Sequence, residues 1–464
     1  MMSLVSIADA VRCGRASAVE ILSSYLEQIE RLNGELNAFV YVDAEAALQC
    51  ARDIDRMVLE GKDPGPLAGV PIGVKDMEDC IGMPTRQGSM LITDTAPKRA
   101  DSIHVGRLRA AGAICVGKTA TAEFGMDSAT FTQLAGVTRN PWNPELTSGG
   151  SSGGSATAVA AGMVPLATGT DAGGSIRQPA AYTGLVGLKP SHGRIPKNGG
   201  FSNFSTHGAL SVDVRGTARY LDVVAGPDDR DRQSLPASAV SFEHACDNLL
   251  VAGLRVAYSP DIGYAVVEPE IETIARNAAE QLISLAGLRH VDMPVVLTNI
   301  HDAWGGILLG KLHQDWVRDG VWPARAGLLS ANVHGLMERI EQNLPLDFDA
   351  LWQQIYQLER DMAALFQHID VLLTPATACR PYRADSTVPH NIDGIDISHI
   401  GVEPFGAFVN ACWNPAISIP AGLSSDGLPV GLQITARRHR DDVALRLARL
   451  FEQTYPWSFP WNMH

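Results

Sequence analysis

Apolar positions along this chain follow two periods, and the periods alternate. Over residues 19–32 (V-E-I-L-S-S-Y-L-E-Q-I-E-R-L) apolar residues recur every three or four positions, as on one face of a helix. Ser17 and Glu20 open that run as an S-x-x-E capping box. Similar spacing predicts helices over 8–11, 43–59, 103–111, 218–224, 268–285 and 441–453. Short β-branched runs bounded by glycine and proline predict strands within 66–76, at 113–116, just after 184, and at 255–259, 371–375, 416–420 and 430–434. Residues 117–119 read as a turn, 144–148 as a poor strand and 198–208 as a loop. Residues 296–365 are helical in period and carry Trp304, Trp316, Trp322 and Trp352, a spacing that suits core packing. Strands alternating with helices imply an α/β protein, an α/β/α sandwich with helices on both faces of a mixed, largely parallel sheet.

Composition narrows the partners. With 464 residues, 45% hydrophobic and 19% charged, the chain can bury a large core and is ordinary for a globular protein. A net charge of −14 without any Lys/Arg run argues against nucleic acid and anionic membrane as partners. Seven scattered cysteines never fall in a C-x-x-C spacing, which fits reduced thiols and gives no zinc or other metal site. No signal-peptide succession opens the chain, so a cytoplasmic location is expected. No cofactor is called for, and a homodimer is allowed.

Candidate chemistry concentrates between Gly149 and Arg177. The stretch reads G-G-S-S-G-G-S at 149–155 and G-T-D-A-G-G-S-I-R at 169–177, and no charged residue lies between Leu146 and Thr170. Glycine turns let backbone N–H groups approach a ligand, and serines among them supply a nucleophile facing those donors, the minimum for acyl transfer. A flexible Gly/Ser linker is the plain alternative, but the apolar run 156–167 and the fixed Asp171 and Arg177 are unlike one. The apolar run is also too short for a membrane span. Lys75 ends the strand P-I-G-V-K behind Ile72 and Val74, an approach that allows burial and a lowered pKa. G-A-I-C-V-G-K-T at 112–119 matches the phosphate-loop pattern, yet its four middle residues form a strand rather than an open loop, so nucleotide binding is rejected. G-x-S-x-G occurs around Ser151 and Ser152, and His192 and His290 are candidate partners for a Ser-His-Asp hydrolase; the weak strand at 144–148 argues against it.

With Lys75, Ser151 and Ser175 in hand, the chain resembles the amidase signature family. G-V-K-D at 73–76, G-G-S-S-G-G-S and G-T-D-A-G-G-S-I-R stand in that family's order and spacing, supported by G-L-V-G-L-K-P-S at 184–191 and P-A-I-S-I-P-A-G at 415–422. The resemblance implies an amidase that hydrolyses a small amide. Ser175 would be the nucleophile, Ser151, after a cis peptide, the bridging serine, and Lys75 the base. The N–H groups of Ala172, Gly173, Gly174 and Ser175 would form the oxyanion hole. Met126 and Ser128 would line the pocket. Trp413 stands where many members have glycine, and is expected to narrow it. The domain expected is single, 1–464, with peripheral helices over 1–61 and a helical insertion over 296–365 near the active site. A component of a glutamine-dependent amidotransferase, or a binding relative that keeps only the fold, remains the alternative.

Overall fold

The computed structural model describes residues 3–198 and 202–459. Its centre is one mixed sheet of eleven strands. Numbered along the chain they are β1 (Phe39–Val42), β2 (Pro71–Lys75), β3 (Ile114–Thr119), β4 (Leu166–Asp171), β5 (Val186–Lys189), β6 (Thr206–Ser211), β7 (Arg255–Tyr258), β8 (Arg289–His290), β9 (Val371–Pro375), β10 (Ala416–Leu423) and β11 (Pro429–Ala436). Across the sheet they lie in the order β1-β3-β2-β4-β6-β5-β10-β11-β9-β7-β8. Parallel pairs form two blocks, β3-β2-β4 and β9-β7-β8, joined through antiparallel neighbours. The antiparallel centre follows from connectivity: β10 and β11 are joined by a tight turn, which only antiparallel strands can use.

Both faces of the sheet are covered, so its strands alternate between two apolar clusters rather than between core and water. Leu166, Cys115 and Ala209 face one cluster, with helices Leu4–Arg12, Val214–Val224 and Asp441–Thr454. Ala167, Ile114, Val116 and Leu210 face the other, with helices Ala18–Leu36, Ala44–Leu59 and Gly153–Ala160. Helices His301–Arg318, Ala331–Gln342 and Phe348–His368 realise the helical period of 296–365. Among the described residues no helix is long and apolar enough to cross a membrane.

Four local readings are corrected. The N-terminal 61 residues are not helical throughout, because F-V-Y-V at 39–42 joins the sheet as an edge strand, a run too short to stand out between two strong helices. Residues 117–119 continue β3: a Cβ at Gly117 would lie 2.2 Å from the Tyr41 carbonyl of β1, so the glycine serves close strand approach and not a turn. Residues Asn143–Thr147 are a strand, paired with Arg139–Asn140 in a ribbon outside the main sheet. Of the loop expected at 198–208, residues 199–201 lie outside the described residues, and from Thr206 the chain is β6.

Helix Gly153–Ala160 lies so close to the end of β3 that a Cβ at Gly154 would be 2.3 Å from the Ala120 nitrogen and 2.5 Å from its oxygen. Backbone cannot yield as a side chain does, so Gly154→Ala is expected to cost about 3 kcal/mol. Gly335→Ala, with open space around it in helix Ala331–Gln342, should be neutral or stabilising. Thermal melts of the two variants check this, and equal melting temperatures would refute the close-packing argument.

Candidate active site

Adjacent parallel strands β2 and β4 end side by side, and their last residues, Lys75 and Asp171, begin the site. Lys75 is wholly buried. Its Nζ lies 2.8 Å from Ser151 Oγ, 2.7 Å from Ser152 Oγ and 2.8 Å from Thr170 Oγ1. Burial pushes the ammonium down to about 7, against the pull of Asp171 and Glu78, which favour the charged form. An amine amid three hydroxyls, half-ionised near neutrality, can exchange a proton with any of them.

The serines arrive on two loops that lock together. The Gly150–Ser151 peptide is cis, and helix Gly153–Ala160 follows it directly. Gln178 Oε1 accepts from the Gly150 N–H at 2.9 Å, and the Ser175 carbonyl accepts from the Ser152 N–H at 3.3 Å. Ser151 and Ser152 are buried, whereas Ser175 is partly open to solvent, as an attacking hydroxyl has to be.

The loop of Ser175 is fixed by Asp171. Its two oxygens accept from the N–H groups of Gly174 (2.8 Å) and Ile176 (3.1 Å) and from Arg177 Nη2 (2.8 Å) and Nε (3.0 Å). Burial alone would raise the carboxyl, but the Arg177 guanidinium holds it well below the usual carboxylate range. One expected oxyanion donor is therefore taken: the Gly174 N–H points at Asp171. Among the described residues the N–H groups of Ala172, Gly173 and Ser175 have no partner and stay free for a ligand.

Met126 and Ser128 belong to a segment beside the cis peptide: backbone of residues 127–129 packs on Gly150, and a Cβ at Gly125 would touch Ser151 Oγ at 3.4 Å. Trp413 is placed differently. Its indole stacks on His192 with centroids 4.4 Å apart and donates to the Asn203 carbonyl at 3.0 Å. The tryptophan that packs against the loop of Ser175 is Trp304, expected as packing: its Nε1 donates to the Ala172 carbonyl at 2.9 Å, and a Cβ at Gly173 would meet its ring at 2.7 Å. Trp316 and Trp322 do pack, in a cluster that Phe124 and Met126 join. His192 faces Trp413 and Gln233, and the hydroxyls of Ser151 and Ser152 bond Lys75 and no histidine, which removes the histidine-driven reading.

Sequence reasoning missed Glu403. A Cβ at Gly174 would lie 2.2 Å from its Oε2, so the carboxyl abuts the loop of Ser175. Burial pushes it up to about 8, against a hydrogen bond from Ser128. A single acid in G-V-E-P-F, more than 200 residues from the glycine-rich motif that ends at Arg177, carries no local signal. Ser152 and Thr170 were within the motifs, but nothing in their spacing marks them as partners of Lys75. The phosphate-loop lysine, Lys118, is buried and bonds Glu78 and Pro84 carbonyls and Thr85 Oγ1, so no phosphate can reach it.

Known proteins resemble this chain over nearly its whole length. The amidase family model matches residues 20–445. An acylamidase of Rhodococcus erythropolis is 33% identical over 98% of this chain and 96% of its own length. One component of the glutamyl-tRNA(Gln) amidotransferase of Synechococcus sp. (strain RCC307) is 34% identical over 97% of each chain. The crystal structure of a bacterial aryl acylamidase of the amidase signature family superposes with a TM-score of 0.91 at 28% identity, covering 100% of this chain and 98% of the other. On sequence, fold and site together, the chain belongs to the amidase family.

Proposed function

We propose that the chain hydrolyses a carbon–nitrogen amide bond to a carboxylate and ammonia or an amine, through an acyl-enzyme on Ser175. The observation that carries the proposal is the wholly buried Lys75 amine 2.8 Å from the Ser151 hydroxyl. In this reading Ser175 Oγ attacks the amide carbon while its proton passes to Ser151 and on to Lys75. The N–H groups of Ala172, Gly173 and Ser175 receive the developing oxyanion. The proton then returns along the same path to the leaving nitrogen, the carbon–nitrogen bond breaks, and water releases the acid by the reverse sequence.

Segment 296–365 serves as an insertion of the single domain that covers the site and sets specificity. Trp304 on the catalytic loop and the cluster of Trp316, Phe124 and Met126 favour a substrate with an apolar acyl or aryl group, in keeping with the names of the acylamidase relatives. Seven free thiols fit a reducing, cytoplasmic setting. Similarity to an amidotransferase component favours a second reading, in which the chain needs partner proteins. Ammonia released by the isolated chain from simple aryl and aliphatic amides decides for the first; activity only with added partner proteins decides for the second.

Lys75→Ala and Ser175→Ala should each lower kcat by several orders of magnitude, and Ser151→Ala by much of the same, because the three act as a unit. No histidine substitution should match them. Steady-state kinetics of folded variants test this, and near-normal turnover by Lys75→Ala would falsify the assignment.

The pH profile should have two limbs. Lysine must be neutral to accept a proton, so kcat/KM should rise as pH passes about 7. Glu403 ionises around pH 8, and once ionised it places an anion beside the forming oxyanion, so the rate should fall again as pH rises through that value. Glu403→Gln should abolish the alkaline limb and keep the acid one. Retention of both limbs in Glu403→Gln would exclude Glu403 as the second group.

A further inference from the structure

Three side chains from separate elements converge on the turn that follows β2. Glu78 belongs to that turn, where its N–H donates to the Lys75 carbonyl at 3.0 Å. His104 comes from helix Ile103–Ala110 and His207 from β6. Glu78 Oε2 lies 2.8 Å from His104 Nδ1 and 3.3 Å from His207 Nδ1, and the ligand atoms of all three residues lie within 4.8 Å of one another. The side chains of Glu78 and His104 are buried, whereas that of His207 is 15% exposed, which gives an ion one side from which to enter. Between Glu78 and His104 the contact is an ordinary hydrogen bond, and His104 Nε2 is in turn 2.6 Å from the Tyr220 hydroxyl. The other two polar atoms are not explained by it. Glu78 Oε1 and His207 Nδ1 are both shut off from water, and neither has a hydrogen-bond partner among the described residues. Buried lone pairs left without a donor are costly, and a bound cation is one way to satisfy them.

We propose that Glu78, His104 and His207 bind a zinc ion, which pins the turn after Lys75 to helix Ile103–Ala110 and to β6. Two imidazoles and one carboxylate are a donor set that zinc takes, with water in the remaining position. Ligand atoms about 2.0 to 2.2 Å from a tetrahedral zinc stand about 3.4 Å apart, a spacing the cluster already approaches. Tyr220 supplies the outer partner that orients a metal-bound imidazole: with the His104 proton on Nε2 and donated to the hydroxyl oxygen, Nδ1 turns its lone pair to the ion. Burial pushes His207 down to about 4, so its ring is neutral at pH 7 and able to ligate. Three lysines stand nearby, but among the described residues none forms an ion pair with the Glu78 carboxylate. Lys118 Nζ is spent on the Glu78 and Pro84 carbonyls, Thr85 Oγ1 and Asp76. Lys75 Nζ is spent on three hydroxyls, and Lys197 Nζ on the carbonyls of Ser202 and Ser205. Their positive charge opposes a further cation, so the affinity expected is micromolar and not tighter. No cysteine takes part, which is why cysteine spacing carries no sign of the site.

Zinc titration and thermal melts of the full chain test this without any substrate, so the outcome is independent of the amidase reading. The reduced chain is stripped with EDTA and titrated with zinc sulfate, in parallel with Glu78→Gln and His207→Ala. All seven cysteines are present in every sample, so zinc held by thiols cancels in the comparison. The unaltered chain should bind one equivalent more than either variant. At about a hundredfold excess of zinc over Kd, its Tm should rise by roughly 3 °C more than theirs. Melts in EDTA show which variants fold, and should Glu78→Gln not, His207→Ala, whose side chain reaches the surface, carries the comparison. Cobalt(II) in the unaltered chain needs no variant: one equivalent should give a visible spectrum without the intense charge-transfer band that thiolate ligands impose. Equal stoichiometry in the unaltered chain and a folded variant, an equal shift in Tm, or a cobalt spectrum dominated by thiolate overturns the proposal, and the cluster then holds water only.

Discussion

The buried pair of Arg177 and Asp171 holds this structure together where it matters. Both side chains are essentially without solvent contact, and Arg177 spends its remaining donors on Gln433 Oε1, Asn410 Oδ1 and the carbonyls of Phe405 and Gly406. One guanidinium thus ties the end of β4 to β11 and to the segment that carries Glu403. Asn410 closes the ring by donating to the Asp171 and Phe204 carbonyls. Leaving one such charge buried without its partner costs roughly 3 to 5 kcal/mol, so the network is retained as a whole or lost as a whole. Because Asp171 also takes the N–H groups of Gly174 and Ile176, the same pair sets the conformation of the loop that presents Ser175.

Close approach is the second constraint. Segment 403–406 packs so tightly on the catalytic loop that a Cβ at Gly406 would overlap the Gly173 carbonyl, and one at Gly174 would overlap Glu403. Gly174 also has φ +136°, a conformation other residues rarely adopt. The glycines of G-T-D-A-G-G-S are therefore dictated by packing partners far along the chain as much as by the turn. A site assembled in this way excludes water from Lys75, and that exclusion brings an amine into the range of a useful base.

How much of this was legible in the sequence depended on whether the signal was local. Lys75, Ser151 and Ser175 stand out because glycine spacing and strand ends mark them, and the strands β2, β9, β10 and β11 stand out as apolar runs between turn residues, whereas β4 merges with the apolar run before it. Edge strand β1 was hidden because four residues between two amphipathic helices give no period of their own. Glu403, Trp304 and Glu78 were invisible for a different reason. Each matters through a neighbour that the fold, and not the spacing, supplies: Gly174, Ala172 and the two histidines from helix Ile103–Ala110 and from β6. Trp413 drew notice as an unusual residue in a family position, but its partners His192 and Asn203 come from the fold and could not be read from spacing.

The surroundings of Lys75 Nζ also give direction to proton flow. As an ammonium it has three hydrogens to donate, one for each of Ser151, Ser152 and Thr170, and every contact is satisfied. As a neutral amine it has two hydrogens and one lone pair, so one hydroxyl must turn and donate to it. Ser152 has another acceptor within reach, the Thr170 carbonyl at 3.4 Å, which leaves Ser151 free to be the hydroxyl that turns. Once its hydrogen points at Lys75, the Ser151 oxygen keeps its lone pairs as an acceptor. Deprotonating the lysine therefore reorients a hydroxyl beside it, a consequence of placing one wholly buried amine among three hydroxyls.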